Sequence, residues 1–286
     1  MTTLALLIVL TSAVLHAFWN LLVKRANGGL VFMWLIFVSM VVTFVPISVI
    51  IFVTQKVAIG WPEIVAMGGN AVLQLTYFLL LNQGYKSGDL SLVYPLARGS
   101  GPLLVTIYAI TFLDEHPSIP ALAGAVLIAA GVLILSGNWS ELRSSGSYKG
   151  VVYALLTGVV IAIYTLWDRH AVRDLQLPPL LYLSAGGFGQ MLILAPYAFQ
   201  HWGTVQDVWQ KQWRYAVGVG VISILAYALI LYALTFSPVS YIAPAREISV
   251  LVGTLMGSRV LAEQQPARRL IAAAAMVLGL VGLAVG

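Results

Sequence analysis

The chain alternates long apolar runs with short polar breaks. Runs bounded by charge, proline or glycine predict helical spans near 3–23, 31–54, 62–85, 90–113, 119–136, 148–167, 178–200, 213–236, 240–262 and 266–285. About 20 residues rising about 1.5 Å each cross a hydrocarbon layer of about 30 Å, so the expected fold is an all-α polytopic membrane protein of ten transmembrane helices. The first run, Leu4 to Val23, reads as a span and not as a secretory signal. It carries Trp19 and Asn20, follows no basic region and precedes equally apolar segments. Breaks such as Asp114-Glu115-His116 and Ser237-Pro238 are short, which makes consecutive helices antiparallel neighbours. The longest polar stretch, 138–147, falls halfway along the chain and is expected to link a first repeat, 1–137, to a second, 148–286.

The two halves resemble each other. An offset of 145 lays HAFWNLLVKRA (His16 to Ala26) over IAIYTLWDRHA (Ile161 to Ala171), pairing Ala17 with Ala162, Trp19 with Tyr164, Leu21 with Leu166 and Ala26 with Ala171. An offset of 149 pairs Ser91 with Ser240, Pro95 with Pro244, Asp114 with Glu263 and Pro117 with Pro266. Similar offsets in matching order indicate a duplicated five-helix unit. Five spans are an odd number, so the second copy enters the membrane upside down relative to the first. That inverted-repeat arrangement supports alternating access around a site near mid-membrane.

Composition agrees with a lipid solvent. Hydrophobic residues make up 60% of the 286 and charged residues 9%, with a mean hydropathy of +0.93, too little polar surface to clothe a water-soluble globule. The formal net charge is +5, but Lys and Arg sit singly or in pairs at span ends, where snorkelling and topology place them, so nucleic-acid binding is not expected. The chain has no cysteine, which excludes disulfides, thiolate metal sites and a cysteine nucleophile. It has no phosphate-binding G-x-x-x-x-G-K-[ST] loop, H-E-x-x-H or G-x-S-x-G, so direct ATP drive and the common hydrolytic chemistries are set aside, and no cofactor, metal or enzymatic activity is expected.

The chain resembles the drug/metabolite transporter superfamily, EamA-like branch, over essentially its whole length. The resemblance rests on the two five-span halves, HAFWN in span 1, GDLSLVYPLARGSGPLLV opening span 4, FLDEHPS after it, and SPVSYIAPAREISVLVGTLMG with LAEQQ in the second half. It implies a ten-helix fold that moves amino acids, metabolites or nucleotide-linked solutes without hydrolysing ATP. Typical members have Gly-Glu-Arg where this chain has Leu113-Asp114-Glu115 and Leu261-Ala262-Glu263. Chains with the LVYPLAR and PAREISVL patterns also resemble proteins tied to phosphonate use.

Ionisable groups within lipid are costly, roughly 2.5–3.5 kcal/mol or more for a central arginine, and so mark candidate function. Arg98 and Arg246 lie about 10 Å inside spans 4 and 9. In an inverted repeat they would bracket the midplane, each two or three residues after a proline. Two guanidinium forks facing one cavity suit a carboxylate, phosphate or phosphonate. Glu247 adjoins Arg246 but points about 100° away on a helix, placing it to reach Arg98 or another span. The alternative is a structural ion network, and a pair that breaks when substrate arrives would be a gate. His16, Trp19 and Asn20 share one face of span 1 as a ligand wall or as helix-to-helix hydrogen bonds. Tyr164 matches Trp19 from the second half. Gln74, Tyr77, Phe78 and Asn82 in span 3, Tyr94 in span 4, and Tyr227 and Tyr232 in span 8 complete the candidate substrate-binding set. Of the acids, only Glu247 and Asp168 lie at span level. The glycines of spans 7 to 9 read as packing.

The loops after spans 1, 3, 5, 7 and 9 hold Lys24, Arg25, Lys86, Arg143, Lys149, Lys211, Arg214, Arg259, Arg268 and Arg269, whereas the alternate loops hold Lys56, Arg169 and Arg173. Positive-inside charge therefore places both termini outside, although many relatives have cytoplasmic termini. The expectation is a secondary transporter in the cell inner (plasma) membrane, moving a small polar, anionic or zwitterionic metabolite by alternating access, with protons coupled through Glu247 or His16. Its partners would be a small-molecule substrate, protons and the lipid bilayer, and it would act as a monomer or weak homodimer. An exporter of amino acids or drugs, and a membrane scaffold that transports nothing, are the alternatives.

Overall fold

The computed structural model describes residues 1–26, 29–87, 90–135, 148–253 and 266–286. The regular elements among these residues are all helices, with no strand: α1 (Thr3–Ala26), α2 (Leu30–Gln55), α3 (Trp61–Ser87), α4 (Leu90–Phe112), α5 (Ile119–Leu135), α6 (Tyr148–Arg169), α7 (Pro179–Gln200), α8 (Trp202–Phe236), α9 (Val239–Arg246) and α10 (Pro266–Val285). Six of them are long and apolar enough to cross a membrane (α1, α2, α3, α6 with its extension to Asp174, α7 and α8), and Leu96–Phe112, Ile119–Leu135 and Leu270–Val285 are shorter apolar helices. Leu7, Val42, Ile50, Val53, Ile107, Val126 and Leu278 are each more than half exposed, as befits a surface bathed by lipid tails.

Contacts between halves obey an exchange symmetry. Helix α1 packs on α8 and α6 on α3, that is, the first helix of each half on the third of the other. Like meets like in the pairs α2 with α7, α4 with α9 and α5 with α10. Lipid tails are as apolar as leucine, so close backbone approach and polar ties hold such helices together. At the α5–α10 crossing, a Cβ added to Gly124 would strike the Gly279 carbonyl, and one added to Gly279 would lie 2.6 Å from the Gly124 carbonyl.

The elements differ from the sequence expectation in three places. Helix α8 starts at Trp202 and not near 213. Its first turns are amphipathic, with Val205 buried against α1 and α2 while Asp207 and Lys211 pair in solvent, so an apolar-run criterion misses them. Helix α6 continues through a π-helical turn, His170–Asp174, beyond the span end predicted at 167. The run expected as one span over 240–262 breaks at Glu247, and the chain is helical again over 248–253. Pro244 cannot donate to the carbonyl of Ser240, and short-range turns follow, Glu247 N to Pro244 O at 3.0 Å and Val250 N to Glu247 O at 2.9 Å. The linker at 138–147, with Arg143, Gly257, Arg259, Leu261, Ala262 and Glu263, lies outside the described residues.

One end of the bundle is laced by polar ties between halves. The Glu115 carboxylate accepts the backbone N–H groups of Val239 and Ser240, both at 3.0 Å, at the start of α9. Beside it Ser118 N donates to Tyr241 Oη, which donates to Gly286 O. Within the second half Arg173 Nη1 donates to Ser237 O at 3.0 Å, and across the halves the amino terminus donates to Leu283 O. The first N–H groups of a helix have no partner within it and carry the positive end of its dipole, so a carboxylate there is both cap and counter-charge.

Candidate functional site

Helix α4 carries Tyr94 and Arg98 one turn apart, and the Arg98 guanidinium carbon lies 5.9 Å from the Tyr94 ring centroid. Arg98 is 4% exposed, Arg246 4% and Glu247 1%. Arg98 Nε is 3.0 Å from Glu247 Oε2, and Arg246 Nε is 3.6 Å from Glu247 Oε1. Arg98 Nη2 also donates to Ser249 Oγ at 3.4 Å. The 149-residue offset that aligns the two prolines makes Arg98 the repeat partner of Glu247, since 98 + 149 = 247. Equivalent positions that touch each other lie where the exchange symmetry has its axis, so this buried pair sits on that axis.

The triad is incompletely satisfied. Arg246 Nε and Nη2, Arg98 Nε and both Glu247 oxygens are buried without an aligned hydrogen-bond partner. A buried ion pair holds its own against desolvation only when further hydrogen bonds satisfy the remaining protons and lone pairs. Two guanidiniums and one carboxylate give the triad itself one net positive charge, which the buried Asp168 carboxylate on α6 offsets at longer range.

An aromatic wall surrounds the triad. The Arg246 guanidinium carbon lies 5.7 Å from the Tyr164 ring centroid. The Tyr164 ring meets Tyr77 at 5.8 Å and Tyr227 at 6.5 Å, both edge-on. His16 is within Coulombic range of both Arg98 and Arg246. Trp19 lies edge-on to His16 at 4.8 Å, its indole N–H buried without an acceptor.

Arg98, Arg246, Glu247, Tyr94, Tyr164, Tyr77 and Tyr227 therefore come together, with His16 near the two arginines and Trp19 against His16. Others of the candidate set do not. Asn20 turns its amide back to the His16 carbonyl at 2.8 Å, satisfied by its own helix. Tyr232 is 51% exposed on the outer face of α8, against Phe236. Gln74, Phe78 and Asn82 are half-buried on α3 and make no hydrogen bond or ring contact with the arginine cluster among the described residues.

Beside the aromatic wall lies a second polar cluster that the sequence pattern left scattered. Asp168 on α6 is fully buried. It accepts hydrogen bonds from Asn70 Nδ2 on α3 at 2.9 Å, Tyr182 Oη on α7 at 2.6 Å and Tyr227 Oη on α8 at 2.5 Å. Asp168 is visible in the sequence as an acid inside an apolar run, but nothing in spacing joins it to Asn70 and Tyr182. Glycine makes the room. A Cβ at Gly186 would strike Asn70 Oδ1, and one at Gly69 would lie 2.5 Å from the Trp167 indole, which donates to Ala66 O at 2.9 Å. No group of three or more His, Cys, Asp or Glu that could hold a metal occurs among the described residues.

The sequence model of the EamA-like transporter family matches residues 3–137 and 148–285. The chain belongs to that family. It is accordingly a multi-pass membrane transporter of the drug/metabolite kind, with one stretch matched in each half of the chain. It is also similar to the chain of a solved crystal structure, over 98% of its own length and 97% of the other's, with a TM-score of 0.72 and 17% identity. At that identity the likeness concerns the fold alone.

Proposed function

We propose that this transporter moves a small anionic or zwitterionic metabolite by alternating access, with Arg246 and Arg98 taking its acidic group. The observation that carries this reading is the Arg246 guanidinium, whose Nη2 is buried without a hydrogen-bond partner and whose Nε is held only by a long 3.6 Å ion-pair contact with Glu247. A carboxylate, phosphate or phosphonate oxygen pair fits that fork, and each charge-assisted hydrogen bond contributes about 1.5–3 kcal/mol. Tyr164 and Tyr77 flank the acidic group, and His16 and Trp19 face the remainder of the solute. As the anion takes Arg246, Glu247 is left to Arg98, its closer partner. Because the chain breaks at Glu247, a change of its partners is a change at a hinge. Glu115 holds the far end of α9 meanwhile, so hinge motion is transmitted toward α4 and the segment after 247.

Around this site the reading sets ten spans in two inverted repeats, 1–137 and 148–286, joined at 138–147. The transporter lies in the cell inner membrane with both termini outside and works as a monomer or weak homodimer. The exchange symmetry of the packing and the loop charges support it. The test is a thermal-shift screen of the full-length protein in detergent against amino acids, organic acids, phosphate esters and phosphonates, with Arg246→Ala alongside. An anion that stabilises the wild type and not the variant is expected. Stabilisation only by cationic or apolar compounds, indifferent to Arg246, would replace this reading with drug export.

A further inference from the structure

The charged side chains buried among the described residues are Arg98, Arg246, Glu247 and Asp168, which sum to zero when both acids are ionised. An arriving monoanion upsets that balance by one unit. The acids differ in whether they can restore it. Glu247 faces two guanidiniums, which only donate. Glu115, at the bundle end, faces two backbone N–H groups, which also only donate. Every partner of Asp168 can reverse its role. The two tyrosine hydroxyls can rotate and accept, and the Asn70 amide has a carbonyl as well as an NH2. When a proton settles on Asp168 Oδ2, its new O–H donates to Tyr227 Oη, so both oxygens stay paired while the Tyr227 hydroxyl hydrogen turns away from the carboxyl.

We propose that Asp168 is a proton-binding site, linked through Tyr227 and Tyr164 to the anion at Arg246, so that a proton accompanies each negative charge carried. The link to the anion rests on the proposed substrate reading, whereas the proton site stands on its own geometry. The groups facing Asp168 are Asn70 from α3, Tyr182 from α7 and Tyr227 from α8, with Arg246 of α9 acting at longer range. On α4, Arg98 is engaged by Glu247. On its own chain Arg169 and His170 pair with Asp174, and Arg173 donates to Ser237 O. Apart from Arg246, then, the cations around Asp168 are occupied elsewhere.

Infrared difference spectra of the full-length protein in detergent, recorded on acidification, read this directly. The carbonyl stretch of a buried protonated carboxyl is expected in the wild type, in Glu247→Gln and in Arg246→Ala, and is lost in Asp168→Asn. Should that variant fail to fold, Tyr227→Phe keeps the carboxyl and removes one hydrogen bond, which moves the stretch to higher frequency. A stretch that survives Asp168→Asn, or is absent until acid unfolds the protein, or is indifferent to Tyr227→Phe, would overturn the assignment. Inorganic phosphate added at constant buffered pH tests the link. It should strengthen the stretch in the wild type and leave Arg246→Ala unchanged. Phosphate that binds without affecting the stretch would refute coupling, and phosphate that does not bind would count against the substrate reading while the acidification spectra still decide Asp168.

Discussion

Removing the Arg98 guanidinium should be among the most damaging single changes in this protein, and a second substitution should repair much of it. In Arg98→Ala, Glu247 keeps only Arg246, at 3.6 Å, and loses the partner at 3.0 Å. At an effective dielectric near 20, each of these contacts attracts by about 5 kcal/mol, against a desolvation cost of several kcal/mol for each ion. The carboxylate left behind is 1% exposed and has no aligned hydrogen bond to fall back on. Breaking one side of such a pair costs about 3–5 kcal/mol. Glu247→Gln alone leaves two buried guanidiniums facing each other and should cost about as much. The double variant removes one charge of each sign and should recover about 2–3 kcal/mol relative to the sum of the singles. Unfolding of the purified full-length protein in mixed micelles, followed by helical circular dichroism, gives all four corners of the cycle. Additive costs would show that Arg98 and Glu247 act independently and that their ion pair does not organise the site.

The remaining predictions concern the supports of that site. Glu115→Ala uncaps α9 and should lower stability by about 1–2 kcal/mol in the same unfolding assay, whereas Glu115→Gln, which keeps one acceptor oxygen, should lose about half of that. Gly186→Ala pushes a methyl into Asn70 Oδ1 and should cost about 1–3 kcal/mol, with Asn70→Ala in the same chain relieving the clash. Tyr164→Leu removes the ring beside Arg246 and should weaken anion binding by about 1 kcal/mol, roughly fivefold in thermal-shift titrations, while Tyr164→Phe keeps the π face and most of the affinity. Tyr232→Ala, on the lipid-facing side of α8, should leave anion binding unchanged in those titrations.

Much of the helical order was legible because lipid imposes one rule on every span, about 20 apolar residues with charge at the ends. That rule failed where a helix did not need to be apolar, in the amphipathic first turns of α8, and where it could not stay regular, after Pro244. The arginines and Glu247 stood out because the cost of a buried charge is readable residue by residue. Their partners were not readable, since contacts between α4 and the region of Glu247 span about half the chain. Asp168 shows the difference. An acid within an apolar run is visible, but its three donors come from three other helices, and only the fold brings Asn70, Tyr182 and Tyr227 to one carboxylate. Asn20 and Tyr232 show the converse, polar groups that helical periodicity places near a site and that local hydrogen bonding or the turn of the helix takes away from it.

The acids Glu115, Glu247 and Asp168 together suggest how such a bundle separates holding from moving. Glu115 accepts from two backbone N–H groups that have no partner within their own helix, so its contact caps α9 and holds this end closed in the structure. Glu247 is contested by two arginines at unequal distance, 3.0 and 3.6 Å, so under the proposed function an anion at Arg246 would leave it to Arg98 with every buried charge still paired. Asp168 is held by groups that can each donate or accept, so its charge can change while its position does not. A carrier requires all of these behaviours: one end that stays closed while the other opens, a contact that substrate can replace, and a charge that can be cancelled when an ion enters a low-dielectric interior. The chemistry of each carboxylate's partners, more than its depth, assigns it to one of them.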